Sequence, residues 1–256
     1  MMEALIDCAQ VLLPGGEGPF PVVVQMHACG GLHAMQKRYA EAAVKAGTAV
    51  VILDSFTPRG IGQGEALLTV CSGLRLRGGE RADDLRMALD WLVEQPWADP
   101  DRIAAAGWSH GGWSIMEALA ADDGHPGVAA LKLAMLVYPY AGPLARTAKH
   151  GWGRNRPAVL ACLAGRDLVV GRLAPRRAIS RLQSDGLSVE LLEFEDAGHC
   201  FDEEEARPPG VAYRPDLEAL LRRRYVAALQ TTLIEEGYSP GVSSGVGAGV
   251  WARGPA

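Results

Sequence analysis

Six short apolar runs, at 22–26, 49–54, 102–107, 131–138, 158–163 and 189–194, constrain this chain more than any other feature. Each is nearly continuous in hydrophobicity, as a strand covered on both faces requires. Helix-like stretches separate them, at 34–46, 81–94, 110–121, 175–184 and 216–236. In 81–94 the residues Leu85, Ala88, Leu89 and Leu92 share one face at a period near 3.6. Strands alternating with helices predict an α/β domain, with a mostly parallel central sheet flanked by helices on both faces. Asp216 is expected to cap the last helix after Pro215, and Gly237 to stop it.

Hydrophobic residues form 48% of the 256-residue chain, ample for one large core. The expected organisation is one domain over 1–236 and a flexible Gly/Ser-rich tail over 237–256. No apolar run spans a bilayer, so no membrane partner is expected. Net charge is −5, and the one dense basic run, Arg222-Arg223-Arg224, falls in a helix as a solvated face. That argues against a nucleic-acid partner. The N-terminal stretch has no basic segment followed by an apolar run and a cleavage site, so a cytoplasmic protein is expected. Five scattered cysteines, Cys8, Cys29, Cys71, Cys162 and Cys200, have no metal-binding spacing and fit a reducing compartment.

Chemistry enters at Gly107-Trp108-Ser109-His110-Gly111, a G-x-S-x-G pattern between an expected strand and an expected helix. In that setting the serine sits on a tight turn and acts as a nucleophile. Gly241-Val242-Ser243-Ser244-Gly245 fits the same pattern, but no strand precedes it and no helix follows, so Ser243 is rejected. With the order serine, acid, histidine, His199 becomes the base and Asp167 the acid, each just past a strand at the same sheet edge. Asp196 is the runner-up acid, but lies only three residues from His199. His110 abuts the nucleophile and is a poor base. Two backbone N–H groups, of His110 and of Cys29 in His27-Ala28-Cys29-Gly30-Gly31, are the expected oxyanion hole.

Taken together, the chain resembles the dienelactone hydrolase family of the α/β hydrolases. The resemblance is carried by Val22-Val23-Val24-Gln25-Met26-His27, Asp54-Ser55-Phe56-Thr57-Pro58-Arg59-Gly60, Gly107 to Gly112, Gly165-Arg166-Asp167 and Gly198-His199-Cys200-Phe201. It implies the α/β-hydrolase fold and hydrolysis of a small-molecule ester or lactone through an acyl-enzyme, without metal or organic cofactor. The namesake enzymes use a cysteine where this chain has Ser109, and a Glu where it has Ala28. A serine carboxylesterase is therefore expected rather than activity on dienelactone itself.

Around that site Arg59 has two readings, a clamp for a substrate carboxylate or a structural arginine bonding loop carbonyls. Trp108 and Tyr140 are candidate pocket walls, with core or rim positions as the alternative. Trp152 is a candidate lid residue. Cys29 and Cys71 are read as unpaired thiols, with a disulfide as the alternative. A peptidase with the same triad is the nearest rival function, though 256 residues leave no room for the added propeller or cap. A non-catalytic binding scaffold is the other rival.

Overall fold

A computed structural model describes residues 2–205, 212–235 and 251–252. The strands are β1 (Gln10–Leu12), β2 (Phe20–Met26), β3 (Ala49–Leu53), β4 (Ala98–Trp108), β5 (Leu131–Val137), β6 (Ala158–Ala164), β7 (Val189–Phe194) and β8 (Trp251–Ala252). The helices are α1 (Met2–Asp7), α2 (Ala34–Lys45), α3 (Gln63–Thr69), α4 (Gly78–Val93), α5 (His110–Ala121), α6 (Pro126–Ala129), α7 (Thr147–His150), α8 (Leu173–Ser184) and α9 (Pro215–Leu233). They form one sheet in the order β7-β6-β5-β4-β2-β3-β1-β8. Strands β2 to β7 are parallel, whereas β1 runs antiparallel to β3 and β8 antiparallel to β1.

Both faces of the sheet are buried, which is why its strands read as unbroken apolar runs. Val22, Val24 and Met26 of β2 lie in one cluster with Leu85 and Leu89 of α4 and Ile115 and Leu119 of α5, which Ile179 of α8 extends beneath β6 and β7. Val23, on the other face, joins Tyr39 of α2 and Leu221 and Leu229 of α9. The expected α/β architecture, with helices on both faces, is what the chain forms.

The chain runs from β2 outward to β3, then returns to β4 on the other side of β2 and continues through β5, β6 and β7. The strand order therefore reverses between β2 and β4. A crevice opens outside the carboxyl ends of parallel strands at such a switch point.

Several local expectations change. Pro215 is the first residue of α9 and Arg214 the cap, with Asp216 engaged by the Arg214 guanidinium, so Asp216 is not the cap. Pro is suited to a first helical position because that N–H has no intrahelical partner anyway. Cys29 and Cys71 form a disulfide, their Cα atoms 5.2 Å apart, so they are not free thiols. The pairing also removes the cysteine-based reason for expecting a reducing compartment. Helix α3 and strand β1 were not legible as elements. Gly237 and the rejected Ser243 lie outside the described residues, as does the expected tail apart from β8. No helix among the described residues is long and apolar enough to cross a membrane.

Candidate active site

Ser109 ends β4 and begins α5, at φ 50° and ψ −110°. A non-glycine residue in that region costs about 1–3 kcal/mol and persists only where its surroundings impose it. Here they do: the Ser109 amide donates to Val137 O at 2.8 Å, and its carbonyl accepts from Trp113 N at 3.0 Å and Tyr140 N at 3.3 Å. The turn also presses the first residues of α5 onto the end of β2. A Cβ on Gly111 would lie 2.1 Å from Met26 O, so only glycine fits there.

His199 lies in the loop after β7, its Nε2 2.9 Å from Ser109 Oγ and its Nδ1 2.7 Å from Asp167 Oδ2. A carboxylate can only accept, so the ring proton sits on Nδ1 and Nε2 is left to accept from the serine hydroxyl. Asp167 Oδ1 accepts from the amides of Val169 and Val170, both at 2.9 Å, which holds the carboxylate still. Its loop meets that of His199 through Arg166 N, which donates to Ala197 O at 2.8 Å. A Cβ on Gly165 would come 2.3 Å from Glu195 O, so glycine permits this approach. Ser109, Asp167 and His199 are 3%, 5% and 4% exposed, which shields the chain of bonds from competing water. Asp196 is instead an exposed partner of Arg166, at 2.5 Å.

The Cys29 and His110 amides donate to no carbonyl among the described residues. Both residues border a cavity of about 640 Å³, together with Ser109 and His199. The His110 imidazole turns away from Ser109. Its Nδ1 accepts from Arg81 Nη1 at 3.1 Å, and burial, then the Arg81 charge, hold its pKa well below the ordinary value. With Nδ1 accepting from Arg81, the neutral ring carries its proton on Nε2 and has no lone pair to offer the Ser109 hydroxyl. Arg81, fully buried, also donates to His27 O at 3.0 Å and Ser55 Oγ at 3.1 Å. Burial lowers it to about 10, still protonated at neutral pH. It thus ties the loop after β2 to the start of α5, beneath the two free amides.

Three expected site residues sit elsewhere. Arg59 does not border the cavity: it forms a two-point pair with the fully buried Asp84, at 3.0 and 2.5 Å, and donates to Ser55 O at 2.8 Å. It is the structural arginine of the two readings. Trp108 is not a pocket wall; it does not border the cavity, is fully buried, and its Nε1 donates to Asp202 Oδ2 at 3.0 Å. Trp152 is not a lid; it is buried, and its Nε1 donates to Thr147 Oγ1 at 2.9 Å. Tyr140 does border the cavity, its ring 4.7 Å from that of Trp113.

Sequence reading missed Asp202. Fully buried, it accepts from Tyr39 Oη at 3.1 Å and Trp108 Nε1 at 3.0 Å through Oδ2, and from Tyr138 Oη at 2.6 Å through Oδ1. The Tyr138 ring in turn lies 4.6 Å from that of His199. Asp202 thereby joins α2, the end of β4 and the end of β5 under the base. Its position in Asp202-Glu203-Glu204-Glu205 reads as solvated acidic surface, so no sequence signal marked it.

Comparison with known proteins places this geometry in context. Residues 36–131 match the model of the prolyl oligopeptidase family. No curated protein matches the sequence. A dienelactone hydrolase-like promiscuous phosphotriesterase from metagenomic libraries is similar in structure at TM-score 0.69 and 21% identity, over 88% of this chain and 98% of that one. A putative dienelactone hydrolase from Klebsiella pneumoniae superposes at TM-score 0.67 and 15% identity, over 87% and 92%. A thermophilic esterase from Thermogutta terrifontis gives TM-score 0.62 and 17% identity, over 90% of each chain. The fold is the α/β-hydrolase fold.

Proposed function

We propose that this chain is a serine hydrolase that cleaves carboxylic esters of small molecules, lactones included, through an acyl-enzyme on Ser109. The unbroken bonding from Ser109 through His199 to Asp167, at the wall of a large cavity, carries the reading. His199 takes the Ser109 proton as Oγ attacks the carbonyl carbon. Asp167 holds the Nδ1 proton in place and balances the imidazolium that forms. The Cys29 and His110 amides donate to the developing oxyanion, the alcohol departs with the proton from His199, and water repeats the sequence to release the acid. The dienelactone hydrolase-like and esterase structures it resembles support an ester substrate.

The test is hydrolysis of p-nitrophenyl butyrate by wild type and Ser109→Ala, with fluorophosphonate labelling of both. Turnover and labelling are expected in the wild type and neither in the variant. Equal rates would remove Ser109 from the reaction. A peptidase is the second reading, favoured by the prolyl oligopeptidase match over 36–131. Faster cleavage of peptide anilides than of esters of the same acyl group would replace the esterase reading with it.

A further inference from the structure

The cavity beside Ser109 is apolar over most of its wall, through Leu67, Val70, Trp113, Leu144 and Val169. Its polar side differs in kind. There His33, Glu203 and Glu205 line it, and no Lys or Arg does among the described residues. Glu203 is 3% exposed, and its Oε1 has no hydrogen-bond partner. A buried carboxyl oxygen without a partner is costly, so Oε1 is a candidate for contact with a ligand in the cavity.

We propose that Glu203 sets the charge preference of this cavity, admitting esters with an uncharged acyl chain and rejecting those that carry a carboxylate. The inference rests on the ester-hydrolase reading and adds the substrate class. A bound carboxylate would lose water and meet no Lys or Arg among the described residues of the wall. It would face Glu203, Glu205 and, behind them, the buried Asp202. The His33 imidazole offers little compensation, since it already stands 3.9 Å from Glu203 Oε2 and 3.4 Å from Glu205 Oε2. An uncharged chain incurs no such repulsion and gains the apolar wall.

Burial, then the Asp202 charge, pushes the Glu203 carboxyl up to about 8. Below that pH it is a neutral acid and above it an anion, so discrimination should sharpen as pH rises. Tyr138 and Cys200, which also face Glu203, are held well above their ordinary values, by burial first, and stay neutral throughout. His33 and Glu205 are the remaining titratable neighbours, and both are retained in Glu203→Gln.

The experiment measures kcat/KM for p-nitrophenyl butyrate and mono-p-nitrophenyl succinate, matched acyl chains ending in methyl or carboxylate, from pH 6.5 to 9. Any pH dependence of the chemical step common to both esters cancels in their ratio. The wild type is expected to prefer butyrate throughout, the ratio rising roughly tenfold across the range. In Glu203→Gln the ratio should be flat with pH, while Glu205→Gln keeps the rise. Equal turnover of the two esters by wild type, or a wild-type ratio that does not change with pH, overturns the proposal even if the Gln variant fails to fold. So does a rise that persists in Glu203→Gln or vanishes only in Glu205→Gln. These failures leave fluorophosphonate labelling of Ser109 intact. No turnover of either ester together with no labelling refutes the hydrolase reading, and this proposal with it.

Discussion

Replacing Asp202 tests whether the His199 ring is held in place through the buried network beneath it, as the structure indicates. In Asp202→Asn the amide oxygen can serve Trp108 and Tyr39, the donors now on Oδ2. The amide nitrogen then faces Tyr138 Oη, which must turn its proton elsewhere and accept. Two bonds drop from charge-assisted to neutral and a third reverses, a loss of about 1 kcal/mol each. Burial raises the Asp202 carboxyl above its usual range, so removing the charge returns part of that loss. The net is roughly 2 kcal/mol, or about 4–8 °C in Tm for a chain this size. Asp202→Ala instead leaves three buried donors without an acceptor, at ~1–3 kcal/mol each, and should cost at least twice as much. Thermal unfolding followed by circular dichroism gives the stability order, wild type above Asn above Ala. In Asp202→Asn kcat for p-nitrophenyl butyrate should fall more than KM changes, because the Tyr138 ring packs on His199 and not in the apolar wall. Variants that unfold within about 1 °C of wild type would refute the argument, since a network this buried cannot lose its acceptor without cost.

Two further outcomes are expected. Asp167→Asn should lower kcat by about 10⁴ with the fold retained, because an amide at that position favours the wrong His199 tautomer; a loss under about tenfold in esterase assays would take Asp167 out of the acid role. Opening the Cys29–Cys71 disulfide, which spans 42 residues, should cost about 4 kcal/mol of chain-entropy stabilisation and lower ester turnover through the Cys29 amide. Tm and turnover measured with and without reductant check this, and an unchanged Tm after complete thiol labelling would exclude it.

Legibility in the sequence followed burial geometry. Strands covered on both faces leave runs that can be read directly, and β7 spans the expected 189–194 without change. Helix α5, after the serine turn, likewise begins and ends where expected. Short elements leave too few residues to show a period, so β1 and α3 went unseen. The Ser-Asp-His order was readable because all three residues follow strands at one sheet edge. Trp108 was misplaced because adjacency to Ser109 in sequence does not bring its ring to the cavity: it is buried with Ala104 and Ala106 and donates to Asp202. Arg81 did carry a signal, since it stands four and seven residues before Leu85 and Ala88 on the buried stripe of α4. Asp202 carried none, and the Gly-containing loops of Cys29 and Cys71 left a disulfide only as the weaker alternative. Both depend on which distant segments meet, and spacing along the chain does not encode that.

The bonds to Asp202 impose an order of events on the growing chain. Tyr39, Trp108 and Tyr138 lie 163, 94 and 64 positions ahead of it. Domains begin to fold from the N-terminal side during synthesis, and contacts at such separation form late. Until Asp202 itself has left the ribosome, β2 through β5 can pair, but three polar side chains near Ser109 and His199 have nowhere to bond. The His199 loop that brings the base to Ser109 carries Asp202 just behind it. Completion of the core and closure of the Ser109–His199–Asp167 chain of bonds therefore coincide, late in the folding of the chain.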